Sequence, residues 1–112
     1  MIKITIYKNQ EDEYVGFQCK GHAAYDQSGH DIVCAAVSIL VLNTVNSIEQ
    51  FTYDKFKGEA DDNKTGFIEF MFHSEPSAEA ALLIDSMILG LESIRNVYNK
   101  DQDYLSISFK EV

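Results

Sequence analysis

Apolar residues alternate with more polar ones in two short segments near the start of the chain. Every second residue is apolar over 2–6 and again over 15–19, and a polar stretch at 9–13 separates the two segments. A period of two is typical of a β-strand with one buried face, and a short polar stretch between two such segments indicates a hairpin. The first part of the chain therefore predicts two antiparallel strands.

A long apolar segment follows, from Ile32 to Ile48, and it contains no charged residue. Apolar side chains occur on almost every face of the helix that this segment predicts, so the helix must be buried on several sides. It is shorter than the roughly 20 apolar residues that cross a bilayer, and it carries polar residues such as Ser38 and Asn43. We expect the sheet to cover one side and a second helix or a second subunit to cover the other, which predicts a homodimer.

The region after this helix predicts a second hairpin. Residues 52–59 are mixed and extended in character, and residues 60–66 form a polar stretch that is typical of a turn. Apolar residues then alternate with other residues over 68–72. This pattern indicates another strand with one buried face.

The last third of the chain predicts a second helix and a final strand. Apolar residues recur at helical spacing over 81–98, and Pro76 suits the first turn of this helix, with Ser74 or Glu75 just ahead of it. Alternation returns over 105–109 and predicts the final strand.

The predicted element order is strand, strand, helix, strand, strand, helix, strand. This order favours an α+β fold in which two long helices pack on a mixed, largely antiparallel sheet, rather than a regular βαβ array. A chain of 112 residues with 46% apolar residues can bury one modest core and is too short for two. We therefore expect a single domain over residues 1–112.

Charge and composition narrow the classes of partner. Eighteen acidic and nine basic residues give a formal net charge of −9. Such a chain gains nothing from counterion release on nucleic acid, so we expect no direct nucleic-acid binding, and its charge favours a basic partner. The first residues lack the apolar core and cleavage site of a signal peptide, which predicts a cytoplasmic location. There the two cysteines are expected to stay reduced.

A histidine and a cysteine flank the predicted junction between the second strand and the first helix. His22 follows Gly21 at the end of the strand, and Cys34 follows Asp31, a good N-cap residue. Cys34 is thus predicted in the first helical turn, where unpaired N–H groups and the helix dipole favour a thiolate. Only about 3% of an ordinary thiol is ionised at neutral pH, so a lowered pKa would make Cys34 a far better nucleophile.

Each of these residues also has a plain structural interpretation. Cys34 resembles the many small thiols that are buried in helices. Asp31 is explained by capping before any role in orienting a histidine. Ser38, one turn after Cys34, could meet the thiolate or bond back to the carbonyl of the preceding turn. Gly21 and Gly29 provide an unusual backbone conformation or a close backbone approach, or they are ordinary turn residues.

Two sequence motifs resemble those of a known family, the ribosomal-processing cysteine proteases of bacteria. They are Gly-His-Ala at 21–23 and Asp-Ile-Val-Cys-Ala-Ala-Val-Ser at 31–38. The resemblance extends over nearly the whole chain in length and element order, but its specificity comes from these motifs. It implies that His22 is the catalytic base and Cys34 the nucleophile, with a supporting role for Ser38. It also implies that the substrate is the precursor of a large-subunit ribosomal protein, which loses a short N-terminal extension.

The reaction that this resemblance implies is acyl transfer without a metal or cofactor. The cysteine attacks the scissile carbonyl, backbone N–H groups at the helix start stabilise the oxyanion, and water releases the thioester. The polar loop over 23–28 would be a mobile wall that becomes ordered around the substrate. The resemblance also implies an apolar groove beside Cys34, whose residues the sequence does not identify.

Two other classes of function compete with the protease. A metal-binding or redox module could use Cys19, Cys34, His22 and His30, but no Cys-x-x-Cys or His-x-x-x-His spacing is present, and strand alternation turns Cys19 toward the core. A non-enzymatic ribosome-assembly or docking protein would use its acidic surface, and its cysteine would be incidental. The two matching motifs favour the enzyme.

Overall fold

Five strands form one mixed sheet, and two long helices pack on one of its faces. The computed structural model describes residues 1–21, 30–61, 66–100 and 103–112. In chain order the elements are β1 (Ile2–Lys8), β2 (Tyr14–Lys20), α1 (His30–Phe51), β3 (Phe56–Asp61), β4 (Phe67–Phe72), α2 (Ala78–Tyr98) and β5 (Leu105–Glu111).

The sheet has the strand order β3-β4-β2-β1-β5. The pairs β1–β2, β2–β4 and β3–β4 are antiparallel, whereas β1 and β5 are parallel. Because β5 runs parallel to β1, the chain needs a long crossover to reach it, and α2 forms this crossover between β4 and β5. The predicted α+β class, the element order and the mixed, largely antiparallel sheet are therefore confirmed.

The core lies between the helices and one face of the sheet. The alternating residues Ile2, Ile4 and Ile6 of β1 and Phe17 and Cys19 of β2 are all fully or almost fully buried. Each buried aliphatic or aromatic side chain contributes about 1.5–3 kcal/mol to the free energy of folding. A slip of one residue in either strand would expose this set, so the hydrophobic pattern determines the register.

Three phenylalanines stack in this core. The ring centroid of Phe70 in β4 lies 5.1 Å from that of Phe17 and 4.6 Å from that of Phe56. These contacts join the edge strand β3 to the centre of the sheet through side chains as well as through backbone hydrogen bonds.

Helix α1 contacts both the sheet core and α2, which covers part of its apolar surface as predicted. The two helices meet where Gly90 faces Leu40, because an added Cβ at Gly90 would come within 2.6 Å of Leu40 Cδ2. Helix α1 is long and apolar enough to cross a membrane, but 33% of its most apolar stretch is buried inside the domain. The core helix of a globular protein has the same length and composition. Ile39 and Phe51 remain 70% and 76% exposed, so the domain does not cover every apolar face of α1.

Strand β3 begins later than the sequence predicts. Thr52 continues the end of α1, because its N–H and its hydroxyl both donate to the carbonyl of Ile48. The strand then starts at Phe56 and includes Ala60, which was expected in the turn. The rest of the predicted turn, residues 62–65, lies outside the described residues.

The predicted start of α2 is wrong by two residues. Ser77, not Ser74 or Glu75, is the N-cap, and its hydroxyl accepts a hydrogen bond from the N–H of Ala80 at 3.1 Å. Pro76 therefore precedes the cap instead of standing in the first turn. The carboxylate of Asp54 selects this start, because it accepts hydrogen bonds from the backbone N–H of Ser77, at 2.8 Å, and from its hydroxyl.

The hydrogen bonds to Asp54 predict a pH-dependent contribution to stability. Burial raises the pKa of the Asp54 carboxyl, but hydrogen bonds from Ser77 and Thr52 outweigh it and hold the pKa below its usual value. A carboxyl with a lowered folded-state pKa stabilises the fold above its ordinary pKa, and this contribution is lost as the pH falls through the folded-state pKa.

We expect Asp54→Ala to lower the free energy of unfolding at neutral pH by about 1–2 kcal/mol, because the N–H and the hydroxyl of the N-cap residue Ser77 lose the carboxylate that accepts their hydrogen bonds. Urea unfolding at neutral pH and at about pH 3 measures this difference, which should shrink in acid. Asp54→Asn is the matched control, since it keeps a neutral acceptor and should lose less. An Asp54→Ala protein as stable as the wild type at neutral pH would contradict this account of the cap.

Candidate active site

Cys34 lies in α1 at the point where this helix meets the end of β2. Its side chain is 1% exposed. The thiol is within long hydrogen-bonding distance of the Gly21 carbonyl, with 3.9 Å between Sγ and the oxygen. A thiol is a weak donor, so this contact positions the sulfur more than it stabilises the fold. The cysteine is thereby held against the residue that precedes His22 in the sequence.

The start of α1 differs from the prediction by two residues. The helix begins at His30, so Asp31 lies within its first turn and is not the N-cap. The Asp31 carboxylate accepts a hydrogen bond from the N–H of Ile32, at 3.0 Å, which is a contact between neighbours and not a bond to the next turn. Its negative charge still complements the helix dipole at this end.

Cys34 is therefore the fifth residue of the helix, not a residue of its first turn. Helical side chains tilt toward the N-terminus, however, which directs Sγ back over the first turn. The first four N–H groups of a helix have no partner within it. The thiol thus lies near the backbone N–H groups of the first turn and near the positive end of the helix dipole.

Gly21 has a backbone conformation that requires glycine. Its φ is +89°, and an added Cβ would lie 2.9 Å from the carbonyl oxygen of Met1. Both features exclude a side chain, because other L-residues are strained at this φ and the obstructing atom belongs to the backbone. The chain leaves β2 in the direction that this glycine allows, with its carbonyl facing Cys34.

The second cysteine has a different environment. Cys19 is fully buried on the core face of β2, opposite Ile4 and Ile68 on the neighbouring strands. Burial, assisted by the charge of Cys34, raises the pKa of the Cys19 thiol to about 12. Cys19 is thus protonated at neutral pH and belongs to the core, as its position in the strand predicts. Cys19 and Cys34 both belong to the buried core cluster.

The other residues singled out by sequence divide into two groups. Ser38 is half-buried in α1, one helical turn after Cys34. His22, Gly29 and the loop over 23–28 lie outside the described residues. The structure therefore brings Cys34, Gly21, Asp31 and Ser38 to one end of the domain, and the pairing of His22 with Cys34 stays a prediction.

The described residues provide no set of metal ligands. Within them, no group of three or more His, Cys, Asp or Glu side chains could hold a metal ion. Cys19 and Cys34 share one end of the core, but neither His22 nor the side chain of His30 is described. The chemistry that the described part of the site offers is that of a thiol at a helix start.

This fold, with a thiol near the start of α1 and beside the end of β2, matches a family of cysteine proteases. The family model of the cysteine protease Prp matches residues 1–103. The chain therefore belongs to the Prp family of cysteine proteases.

Relatives in two bacteria match most of the chain. The ribosomal processing cysteine protease Prp of Staphylococcus aureus is 32% identical over 101 residues, covering 90% of this chain and 94% of that protein. The protein of the same name from Bacillus subtilis is 32% identical over 101 residues, covering 88% of this chain and 90% of that protein.

Solved structures support the same assignment. The S. aureus protease Prp in complex with a substrate peptide superposes with a TM-score of 0.88 at 27% identity, over 98% of this chain and 100% of that one. The same protease with a covalently linked product peptide gives a TM-score of 0.84 at 30% identity, with the same coverage.

Gly21→Ala should destabilise the protein, by about 1–3 kcal/mol, because the new Cβ combines an unfavourable φ with a backbone clash. Urea unfolding measures this loss. Gly58→Ala is the matched control, because the Cβ added there finds only ordinary contacts, the nearest at 3.7 Å. Equal stability of the two variants would show that an alanine adopts the Gly21 conformation without strain, which would contradict this account.

Proposed function

We propose that Cys34 and His22 form a catalytic pair that removes a short N-terminal extension from the precursor of a large-subunit ribosomal protein. The observation that carries this proposal is the contact between Cys34 Sγ and the carbonyl of Gly21, the residue before His22. The proposal includes one protease domain over residues 1–112 that acts in the cytoplasm and needs no cofactor.

The similar proteins support both parts of the proposal. The relatives in S. aureus and B. subtilis are named for ribosomal processing. The structure of the S. aureus protease with a covalently linked product peptide is in keeping with a mechanism in which the enzyme bonds to part of its substrate. In this chain the resemblance assigns that bond to the sulfur of Cys34.

The proposed reaction proceeds in two halves. His22 takes the thiol proton, and the sulfur of Cys34 attacks the scissile carbonyl carbon to give a tetrahedral oxyanion. N–H groups at the start of α1 stabilise that charge. The C–N bond then breaks, His22 gives its proton to the leaving amine, and a thioester remains. Water, deprotonated by His22, hydrolyses the thioester and releases the thiol.

Four residues support this pair in the proposal. Gly21 turns its carbonyl toward the thiol, and Gly29, which lies outside the described residues, is given a supporting role by the resemblance alone. Asp31 adds negative charge at the helix start, while Ser38 lies one turn behind the sulfur. The proposed substrate also suits the electrostatics, because a formal charge of −9 attracts a basic ribosomal protein and repels RNA.

Replacement of either catalytic residue should stop cleavage. The substrate is a precursor ribosomal protein with its N-terminal extension, and intact mass is measured after incubation. The wild type should remove a defined mass, whereas Cys34→Ala and His22→Ala should be at least about 10³-fold slower.

Cys19→Ala is the matched control, because it removes the other thiol and should retain cleavage. If a folded Cys34→Ala protein cleaved the precursor while Cys19→Ala did not, the assignment of the nucleophile would be wrong. If the folded wild type left a verified precursor intact, a docking role would replace the proposed substrate and reaction.

We also propose that the protein is a homodimer. Ile39 of α1 and Leu82 and Leu89 of α2 are at least 67% exposed, although all three are large and apolar. Leu82 and Leu89 lie two helical turns apart on one face of α2. Exposed apolar residues on both helices favour a second copy as the cover.

Leu82→Glu with Leu89→Glu should therefore convert a dimer into a monomer, because two buried charges oppose the contact. Sedimentation velocity measures the change, and Val112→Glu, at an exposed apolar residue beyond β5, is the control. A wild type that sediments as a monomer at concentrations well above micromolar would contradict the proposed dimer.

A further inference from the structure

Two thiols enter the same core from opposite layers. Cys19 reaches it from β2 in the sheet and Cys34 from α1 in the helical layer, and both belong to one cluster of buried side chains. The two residues are 0% and 1% exposed, and neither is part of a disulfide. The proposed reaction uses Cys34 alone, which leaves the second thiol without a role.

The end of β2 brings the two cysteines close together. Sγ of Cys34 lies 3.9 Å from the carbonyl oxygen of Gly21, and Gly21 is the second residue after Cys19. Two residues of an extended strand span about 6.6 Å, and the Cα atoms of a disulfide are about 4.4–6.8 Å apart. Cys34 therefore meets β2 within one such span of Cys19. The charge of Cys34 is also one of the causes that raise the pKa of Cys19, which is in keeping with this proximity.

The core does not require sulfur at position 19. The neighbours of Cys19 on the adjacent strands are Ile4 and Ile68, and a β-branched residue suits both a strand and such neighbours. A buried cysteine packs as a small apolar residue, and its reactivity is what distinguishes it from one. Packing alone therefore does not account for the second thiol.

The two thiols differ in how they meet an oxidant. Burial raises the pKa of the Cys19 thiol to about 12, and a thiol reacts with peroxide as its thiolate, so Cys19 itself resists oxidation. In the proposed function Cys34 is the nucleophile, and a site that admits a peptide carbonyl to its sulfur also admits a molecule as small as hydrogen peroxide. Cys34 is thus oxidised first, and Cys19 is the other thiol of the chain.

We propose that Cys19 is a resolving thiol, which forms a reversible disulfide with Cys34 after hydrogen peroxide has oxidised the nucleophile. This inference rests on the proposed function, because it takes Cys34 as the reactive thiol. The disulfide switches cleavage off and protects Cys34, since a sulfenic acid that finds no thiol is oxidised further to sulfinic and sulfonic acids, which a thiol does not reduce. Transient disulfides of this kind act as redox sensors in cytosolic proteins.

The disulfide forms in two balanced steps. The sulfur of Cys34 attacks one oxygen of hydrogen peroxide, the O–O bond breaks, and the thiol proton leaves with the second oxygen as water, so that Cys34 becomes a sulfenic acid. The sulfur of Cys19 then attacks the sulfenic sulfur, the S–O bond breaks, and the hydroxyl leaves with the proton of Cys19 as a second water. Two electrons pass from the two thiols to the peroxide. A dithiol such as dithiothreitol restores both thiols by exchange.

Oxidation of the reduced full chain by hydrogen peroxide tests the inference. The remaining thiols are alkylated in urea, intact mass is measured without reductant, and cleavage of the precursor is measured before and after dithiothreitol is added. Cys19→Ala and Cys19→Val both remove the second thiol but keep an apolar residue in the core, so agreement between them separates the loss of sulfur from a change in packing. Cys34→Ala is the matched control for the other partner.

The wild type should lose the mass of two hydrogen atoms and take up no alkylating reagent. It should also lose at least about 90% of its cleavage, because a disulfide leaves no nucleophile, and dithiothreitol should restore this activity. Both Cys19 variants should instead gain two or three oxygen atoms on Cys34 and stay inactive after dithiothreitol. Cys34→Ala should keep a reduced Cys19.

A wild type that gains oxygen atoms without a bridge would overturn the inference, as would one whose two thiols both remain open to alkylation. A bridge between two copies, seen as a doubled mass, would overturn it as well, and so would equal recovery of the wild type and the Cys19 variants after dithiothreitol. The mass measurement needs no cleavage. A wild type that forms the disulfide but leaves a verified precursor intact would therefore overturn the proposed function alone, so the two failures are distinguishable.

Discussion

The close approach of Gly21 to the carbonyl of Met1 is the constraint on which this end of the domain depends. It brings Gly21, the first residue after β2, against Met1, the residue before β1, and it leaves no room for a side chain at Gly21. The same glycine turns its carbonyl toward the thiol of Cys34. One backbone contact therefore connects the sheet, the exit toward His22 and the helix that carries the cysteine. A change in any one of these parts would displace the others, because backbone atoms cannot move aside as a flexible side chain can.

The two cysteines illustrate how position determines chemistry. Both are buried and belong to the same core cluster, but Cys19 lies in the middle of a sheet face, opposite Ile4 and Ile68. The uncharged form is favoured there, and the pKa of its thiol rises to about 12. Cys34 has the same side chain near the start of α1, within reach of the Gly21 carbonyl. A protease of this design can keep a second thiol without competition between the two nucleophiles.

Sequence patterns predict the elements of this fold well and their ends less well. Alternation in β1 and β2 identifies the buried faces because one side of the sheet is covered and the other is not. The starts of both helices are shifted, since the cap is chosen by tertiary contacts: α2 begins where Asp54 holds Ser77, and these residues are 23 positions apart. The strand β3 begins late because Thr52 bonds back to α1. Cys34 was identified by its motif and helix position, whereas its contact with Gly21 depends on how β2 and α1 pack.

The position of the groove between α1 and β3, which is lined by Leu42, Phe56, Gly58 and Ala60 among others, could not be predicted, because this groove results from what the sequence omits. Gly58 and Ala60 lie in a mixed segment without a clear period, and a missing side chain leaves no hydrophobic signal. Such an arrangement costs stability, since glycine in a strand is about 0.5–1 kcal/mol less favourable than alanine and the walls of the groove stay in contact with water. A larger apolar residue at Gly58 would fit the space and bury more surface. β3 is thus a weaker strand than its place in the sheet allows, and it leaves apolar surface of α1 uncovered.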